Sequence, residues 1–341
     1  MRPLLHPVLI NGRSGDPALY IETLFEKRAI MFDLGDISNL SPRKIQRLEQ
    51  IFVSHAHIDH FIGFDRLLRF LVGREKQIWL YGPSGFIEHV YHKLAAYRWN
   101  LIDRFKVELT FIVTEIDPDL TIRKAHLRLK NGFAVEPAGG GRHADGVLYA
   151  DPAFRVTTAV LQHRTTCLGF AIEETAHVNV WKNRLSELGL PVGPWLRELK
   201  RAVIDDRRDD YPIDVGPPAE PSNRRSVPLK VLRSAVTVTP GQKIGYVADV
   251  ADTADNRQAI VRLVRNADVL FIEAAFAEAD AALATERAHL TTAAAGSIAR
   301  AAGVRHVEPF HFSPRYSGQE ANLLSEVMAA FAGQRPEASG A

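Results

Sequence analysis

The sequence predicts a layered α/β protein, and three observations carry that expectation. Segments of strand character alternate with segments of helical character along most of the chain, the pattern of sheets covered by helices. Several apolar, strand-like runs end in histidine or aspartate, and sheet proteins commonly place their sites at strand ends. With 341 residues, 46% hydrophobic and 24% charged, the chain has the length and balance of an ordinary globular protein with a sizeable core.

The elements follow in order. Residues 18–25 and 28–33 read as a hairpin with a charged turn. Residues 41–50 read as a helix, with Ser41 as N-cap and Pro42 at its first position. Ile45 and Leu48 then share one face. Residues 51–54 form a short buried strand, 64–73 a helix stopped by Gly73, and 77–83 a strand and turn. Residues 84–97 are helical, and 84–150 as a whole is expected to be helix-rich with a Gly139–Gly141 loop. Strands rich in Val, Phe, Ile and Thr are expected at 106–113, 154–163 and 167–174.

Residues 180–230 differ. Pro191, Pro194, Pro212, Pro217, Pro218, Pro221 and Pro228 stand among charge clusters, the composition of a projecting insertion or mobile loop region. Alternation resumes with a strand at 243–249, a helix near 255–265, a strand at 269–276, and a helix at 290–303. A strand at 304–312 and a helix near 317–332 complete it. The tail 333–341 is expected to be disordered. The domain expectation is therefore one domain over 1–332 that includes the insertion.

Composition excludes several classes. No apolar run approaches the ~20 residues of a membrane span, and residues 1–7 lack a signal-peptide pattern. The single cysteine, Cys167, forbids an internal disulfide and fits a reducing cytoplasm. A net charge of +2 is too small to argue for nucleic-acid binding, so any polyanion contact must come from a local patch.

The stretch 54–60, Ser-His-Ala-His-Ile-Asp-His, carries the chemistry. In extended chain His55 and His57 share a face, and the turn that follows returns Asp59 and His60 toward the same point. Imidazole nitrogen and carboxylate oxygen suit zinc, with manganese or iron as alternatives. Four ligands from one turn crowd a single tetrahedral ion, so two ions are expected. Further ligands stand at later strand ends: His163, Asp249, whose two oxygens could bridge, and His311.

With these residues on the page, the chain resembles the metallo-β-lactamase superfamily, and within it the ribonuclease Z family. The supporting segments are MFDLG (31–35), the run 41–63 through the metal turn, LQHRTTCLGFAIEE (161–174), GYVADV, AHLTTAAAGSIA and PFHFSPRY. LGLPVGPWLRELK (188–200) resembles the Gly-Pro motif of that family's tRNA-binding arm. The resemblance implies a four-layer αββα sandwich with a projecting arm. It assigns His55, His57 and His163 to one zinc and Asp59, His60 and His311 to the other, with Asp249 bridging. It also implies that Asp33 supports the metal turn from behind, although an Asp before Gly35 could simply form a turn. Departures fall at the pocket rim: Ile58 stands where the family usually has Gly, and 84–150 finds no counterpart.

The reaction implied is cleavage of the 3′ trailer of precursor tRNA by hydroxide on the metal pair, since coordination lowers the pKa of water to ~7. The same resemblance makes Asp59 the candidate to orient that hydroxide. His289 is the candidate acid for the departing 3′ oxygen, oriented by Glu273. Lys182, Arg184, Arg197, Lys200 and Arg201 on the arm, and Arg315 near His311, are candidate tRNA contacts; Arg315 and Tyr316 could instead brace the His311 turn. Relatives of this kind are often homodimers. Cys167 and the histidines 89, 92, 126, 143, 177 and 306 are read as structural or surface residues. The competing readings are a hydrolase of this fold acting on an ester, thioester or lactone, and a non-catalytic RNA-binding or metal-binding protein.

Overall fold

The computed structural model describes residues 4–24, 27–142, 145–216 and 225–334. It divides into two compact units: Met1–Glu173 with Gln242–Ala341, and Glu174–Gly241. Strands β1 (Leu5–Leu9), β2 (Leu19–Thr23), β3 (Ala29–Phe32), β4 (Leu48–Phe52), β5 (Lys76–Pro83), β6 (Leu109–Ile116), β7 (Thr121–Arg128) and β8 (Val135–Arg142) form one sheet in chain order. They are followed by β9 (Val147–Ala150), β10 (Phe154–His163) and β11 (Thr165–Glu174). The second unit then contributes β12 (His177–Val180), β13 (Pro212–Val215), β14 (Arg225–Pro228) and β15 (Val236–Thr239). The first unit resumes with β16 (Lys243–Val247), β17 (Val269–Glu273) and β18 (His306–Phe310). Its second sheet has the order β18-β17-β16-β11-β10-β9.

Side-chain alternation sets the layers. In β3, Ile30 and Phe32 join a buried cluster with Phe52, Phe154, Phe170, Ile244, Tyr246 and Phe310. That cluster draws on both sheets and is the core between them. Ala29 and Met31 point the other way, into a cluster with the helices Pro42–Arg47, Phe64–Leu71 and Phe86–Ala95. The far face of the second sheet packs on Ala254–Leu263, Ala281–Arg287, Thr292–Ala301 and Glu320–Ala332. The order is helix, sheet, sheet, helix.

Local signals held where tertiary pairing did not compete. The Ser41 hydroxyl caps the helix beginning at Pro42, and Gly73 takes the left-handed conformation (φ +84°) just beyond Leu71. The helix expected over 41–50 ends at Arg47. Leu48, Gln50 and Ile51 pair instead with Ala29, Ile30 and Met31 in a parallel ladder, so sheet formation overrides helical periodicity. The strand expected at 106–113 lies at Leu109–Ile116. Beyond the helix Phe86–Ala95, the 84–150 segment is mainly strand, not helix. Gly139, Gly140 and Gly141 belong to β8, where a Cβ on Gly140 would overlap the Ile122 carbonyl of β7. Glycine here permits close strand approach and resembles a loop only in composition. The helix Ala281–Arg287 and strand β1 were not anticipated.

The second unit is folded. Leu185, Leu199, Ile213, Leu229 and Leu232 are fully buried in a cluster of its own, which corrects the expectation of a mobile loop region. Pro212 and Pro228 occupy the ends of the β13–β14 pair, where a missing N–H is tolerated. Pro217, Pro218, Pro221 and His143 lie outside the described residues, as does the tail from 335 onward. No described helix is long and apolar enough to cross a membrane.

Candidate metal centre

Parallel strands deliver the site. β3 and β4 run parallel, as do β16, β17 and β18, so the residues after each strand emerge at a common edge. Asp33 follows β3, His55 follows β4, Asp249 follows β16, Glu273 ends β17 and His311 follows β18. His163 closes β10, and the Ala251 N–H bonded to the Gln162 carbonyl ties that end beside Asp249.

The structure brings all seven expected ligands together. His55, His57, His163 and Asp249 form one group able to hold an ion, and Asp59, His60 and His311 form another. Asp249 faces both. Its Oδ2 lies 3.7 Å from His55 Nε2 and 3.5 Å from His163 Nε2. Its Oδ1 lies 3.4 Å from His60 Nε2 and 2.7 Å from His311 Nδ1. Asp59 Oδ2 is 3.4 Å from His60 Nε2 and 3.2 Å from His311 Nε2. Atoms bonded at ~2.1 Å to one tetrahedral ion sit ~3.4 Å apart, close to all of these separations except the tighter Asp249–His311 pair.

A further observation tests the fit to a cation. His60 Nε2, Asp249 Oδ1 and His311 Nδ1 are buried and have no aligned hydrogen bond, although they crowd one another. Orphaned buried polar atoms are rare, and a shared divalent ion would satisfy all three.

The supporting contacts fix ring orientation. Asp33, fully buried, accepts from Ser54 N–H (2.6 Å), the Ser54 hydroxyl (2.9 Å) and the Tyr246 hydroxyl (2.8 Å). It also takes His60 Nδ1 at 2.9 Å, which leaves Nε2 for the pocket. His163 Nδ1 donates to the Ala288 carbonyl at 2.7 Å, with the same result. Such partners set tautomer and basicity in metal sites. Asp33 thus does more than form a turn. Cys167 is buried as expected, and its thiol lies 3.1 Å from the Asp249 carbonyl.

Strain gathers at the same edge. Asp33, Arg164, Ala288 and His311 are non-glycine residues at φ between 52° and 61°. Each is a residue of the site or adjoins one, where over-determined backbone is usual.

The electrostatics favour positive charge in the pocket. Burial, reinforced by the charge of His60, pulls His55 down to about 2, so it is a neutral donor at physiological pH. Burial likewise lowers His163. Burial opposes protonation of His311, yet the charge of the adjacent Asp249 carboxylate and a hydrogen bond to Asp59 push it up to about 10. His60 is raised for the same reason by Asp249 and Asp33. The carboxylates therefore draw protons into the place a metal would take.

His289 stands at the border of this cluster and joins Asp249 and His311 in a third close group. Its Nδ1 lies 3.2 Å from both Glu273 oxygens. Glu273 is fully buried and also accepts the Val250 N–H at 2.7 Å. Burial opposes charge on His289, but Glu273 outweighs it and raises the pKa. Tyr316 braces Asp280 and Ala277 and does not face the cluster. Arg315 stays exposed, 3.8 Å from Asp280.

Within the second unit, Lys182, Arg197 and Lys200 line a cavity of 380 Å³ beside Gly193. Arg184 instead donates to the Ser234 carbonyl, and Arg201 lies 3.8 Å from Asp205. The residues set aside stay apart: His92 faces Glu88, His126 faces Arg128, and His177 faces Glu174. Sequence reasoning missed Ser54, Tyr246 and the Ala288 carbonyl. Ser54 could have been found from its place directly before His55; the other two gave no local signal.

No family model matches the chain, but its relatives are consistent. A ribonuclease Z of Deinococcus radiodurans is 28% identical over 332 residues, covering 96% of this chain and 95% of its own. A ribonuclease Z of Synechocystis sp. is 30% identical over 319 residues, covering 89% and 81%. Among solved structures, the short form of human tRNase Z matches with a TM-score of 0.54 at 18% identity, over 91% of this chain and 93% of its own. The metallo-β-lactamase fold protein YhfI of Bacillus subtilis matches with 0.55 at 17% identity, over 97% and 95%. The helix–sheet–sheet–helix layering is therefore the metallo-β-lactamase fold.

Proposed function

The chain belongs to the ribonuclease Z family, and we propose that it is a metal-dependent endoribonuclease that removes the 3′ trailer of precursor tRNA. One observation supports this reading above the rest: a histidine held by a buried glutamate borders a seven-residue His/Asp cluster. Ester hydrolysis needs an activated water; expulsion of a ribose 3′ oxygen also needs a proton donor.

His55, His57 and His163 would hold one ion and Asp59, His60 and His311 the other, with Asp249 between them. Zinc suits these donors, and manganese or iron would also be accepted. Divalent ions bound there would supply an activated water at neutral pH and offset phosphate charge. Asp59 would orient the attacking water. Glu273 takes the His289 Nδ1 proton in a hydrogen bond and stabilises the charged ring. His289 then gives a proton to the departing 3′ oxygen. The products are a tRNA with a free 3′ hydroxyl and a trailer with a 5′ phosphate.

Lys182, Arg184, Arg197, Lys200 and Arg201 on the second unit would hold tRNA phosphates without reading sequence. We further propose a cytoplasmic homodimer. Lactone or thioester hydrolysis would leave the His289–Glu273 pair without a task, and a non-catalytic relative would be expected to lose ligands. The test is incubation with a precursor tRNA bearing a 3′ trailer, with and without chelator. Trailer release that stops on chelation is expected. Turnover of a lactone or thioester with none of the phosphodiester would overturn the reading.

A further inference from the structure

The cleft that contains the His/Asp cluster continues past His289 into a basic pocket. A cavity of 230 Å³ is walled by Asp59, His311, Phe276, His289 and Ser313 among others. A second cavity, of 580 Å³, shares Phe276, His289 and Ser313 with it. Its remaining polar lining is Arg164, Arg287 and Arg315, with no carboxylate among the described residues. His289 thus stands between the ligand cluster and three guanidinium groups.

These arginines come from separate elements. Arg164 follows β10, Arg287 ends the helix Ala281–Arg287, and Arg315 lies in the turn after His311. Arg164 donates to the Glu286 carbonyl, an uncharged partner. The nearest acid to Arg315, Asp280, is 3.8 Å away and already binds the Tyr316 hydroxyl. Arg287 has no acidic partner among the described residues. Like charges converging on one cavity repel, and the arrangement gains most from a ligand of opposite sign. Guanidinium forks match phosphate oxygens in particular.

We propose that Arg164, Arg287 and Arg315 bind the phosphate on the 5′ side of the nucleotide that keeps the new 3′ hydroxyl. This rests on the ribonuclease reading and deepens it. The scissile phosphate belongs at the His/Asp cluster, and the departing oxygen belongs at His289. The strand beyond His289 is then the leaving nucleotide, and its own 5′ phosphate is the next anion along it. The pocket sets the register of cleavage and reads no base.

The test uses an RNA hairpin with a 3′ trailer, either unmodified or carrying one uncharged methylphosphonate at that phosphate. For the wild-type protein the neutral linkage should raise KM about tenfold or more, as loss of a charged hydrogen bond does. Arg287→Ala should raise KM for the unmodified hairpin by a similar factor, more than it lowers kcat, and the methylphosphonate should then add little. Arg287→Lys should recover part of the loss. A silent methylphosphonate in the wild type, or effects that multiply in the variant, overturns the proposal. If the wild type cuts no hairpin, the ribonuclease reading falls instead. The pocket is then judged by hairpin affinity in chelator, which must weaken in Arg287→Ala.

Discussion

Glu273 and His289 are locked together, with both carboxylate oxygens 3.2 Å from the imidazole Nδ1. The same carboxylate receives the Val250 N–H, next to Asp249. One buried acid therefore ties the proposed proton donor, His289, to the strand end that carries Asp249, the central candidate ligand. His289→Ala should lower kcat by ~10²–10⁴-fold with a small change in KM, as for loss of a general acid. Glu273→Gln keeps the shape and removes the charge, so its kcat loss should be smaller and should grow as pH rises. Steady-state kinetics over pH would check both; an unchanged His289→Ala rate would remove the acid from the mechanism.

Asp33 predicts an effect on metal rather than on chemistry. It gathers Ser54, Tyr246 and His60 at fully buried positions. Asp33→Asn should weaken metal binding by ~10–100-fold, the usual consequence of removing a ligand's supporting partner. Tyr246→Phe removes one of those bonds and spares His60, so its effect should be milder. Competition with a chromophoric chelator would measure both. Equal affinity in wild type and Asp33→Asn would make the residue purely structural.

How much of this was legible beforehand follows from the range of each interaction. His55, His57, Asp59 and His60 are local to one turn, and their spacing alone suggested ligation. His163, Asp249 and His311 could be seen because each ends an apolar run, and a strand end is a local signal. The hydrogen bonds from Tyr246 to Asp33 and from His163 to the Ala288 carbonyl join residues far apart in the chain, and nothing nearby marks them. The fold followed the same rule. The caps at Ser41 and Gly73 were readable, whereas Leu48 became strand through pairing with Ala29. The core of the insertion escaped notice because proline and charge suggest a mobile loop as readily as a folded projection, while Leu185, Leu199 and Ile213 are spaced too widely to announce it.

The protonation of His311 gives a pH dependence with a definite sign. Its pKa rises from 6.5 to about 10 in the metal-free protein, against burial and because of Asp249 and Asp59. A group raised on folding contributes stability that is complete below about pH 6.5 and is lost as pH climbs to about 10. The melting temperature of metal-free protein should therefore fall across that window. Metal binding must expel the proton, so apparent metal affinity should rise over the same range and loaded protein should not show the fall. Thermal melts with and without chelator from pH 6.5 to 10 would check this; parallel profiles would refute it.

Two glycines separate stability from ligation. A Cβ on Gly35 would lie 2.5 Å from the Asp59 carbonyl and 2.7 Å from the Pro17 carbonyl, so an alanine there must push the metal turn outward. A Cβ on Gly296 would overlap the Val327 carbonyl and lie 2.8 Å from Ala330 Cβ. There an alanine must separate the helices Thr292–Ala301 and Glu320–Ala332, away from the ligands. Overpacking of this kind typically costs ~1–3 kcal/mol, and both substitutions should lower the melting temperature in chelator. Gly35→Ala alone should also weaken metal binding, because it displaces the carbonyl of Asp59, a proposed ligand. The checks are chelator melts for stability and metal titration for affinity. If Gly296→Ala loses metal as severely as Gly35→Ala, the cluster depends on global stability rather than on the close contact between Gly35 and the Asp59 turn.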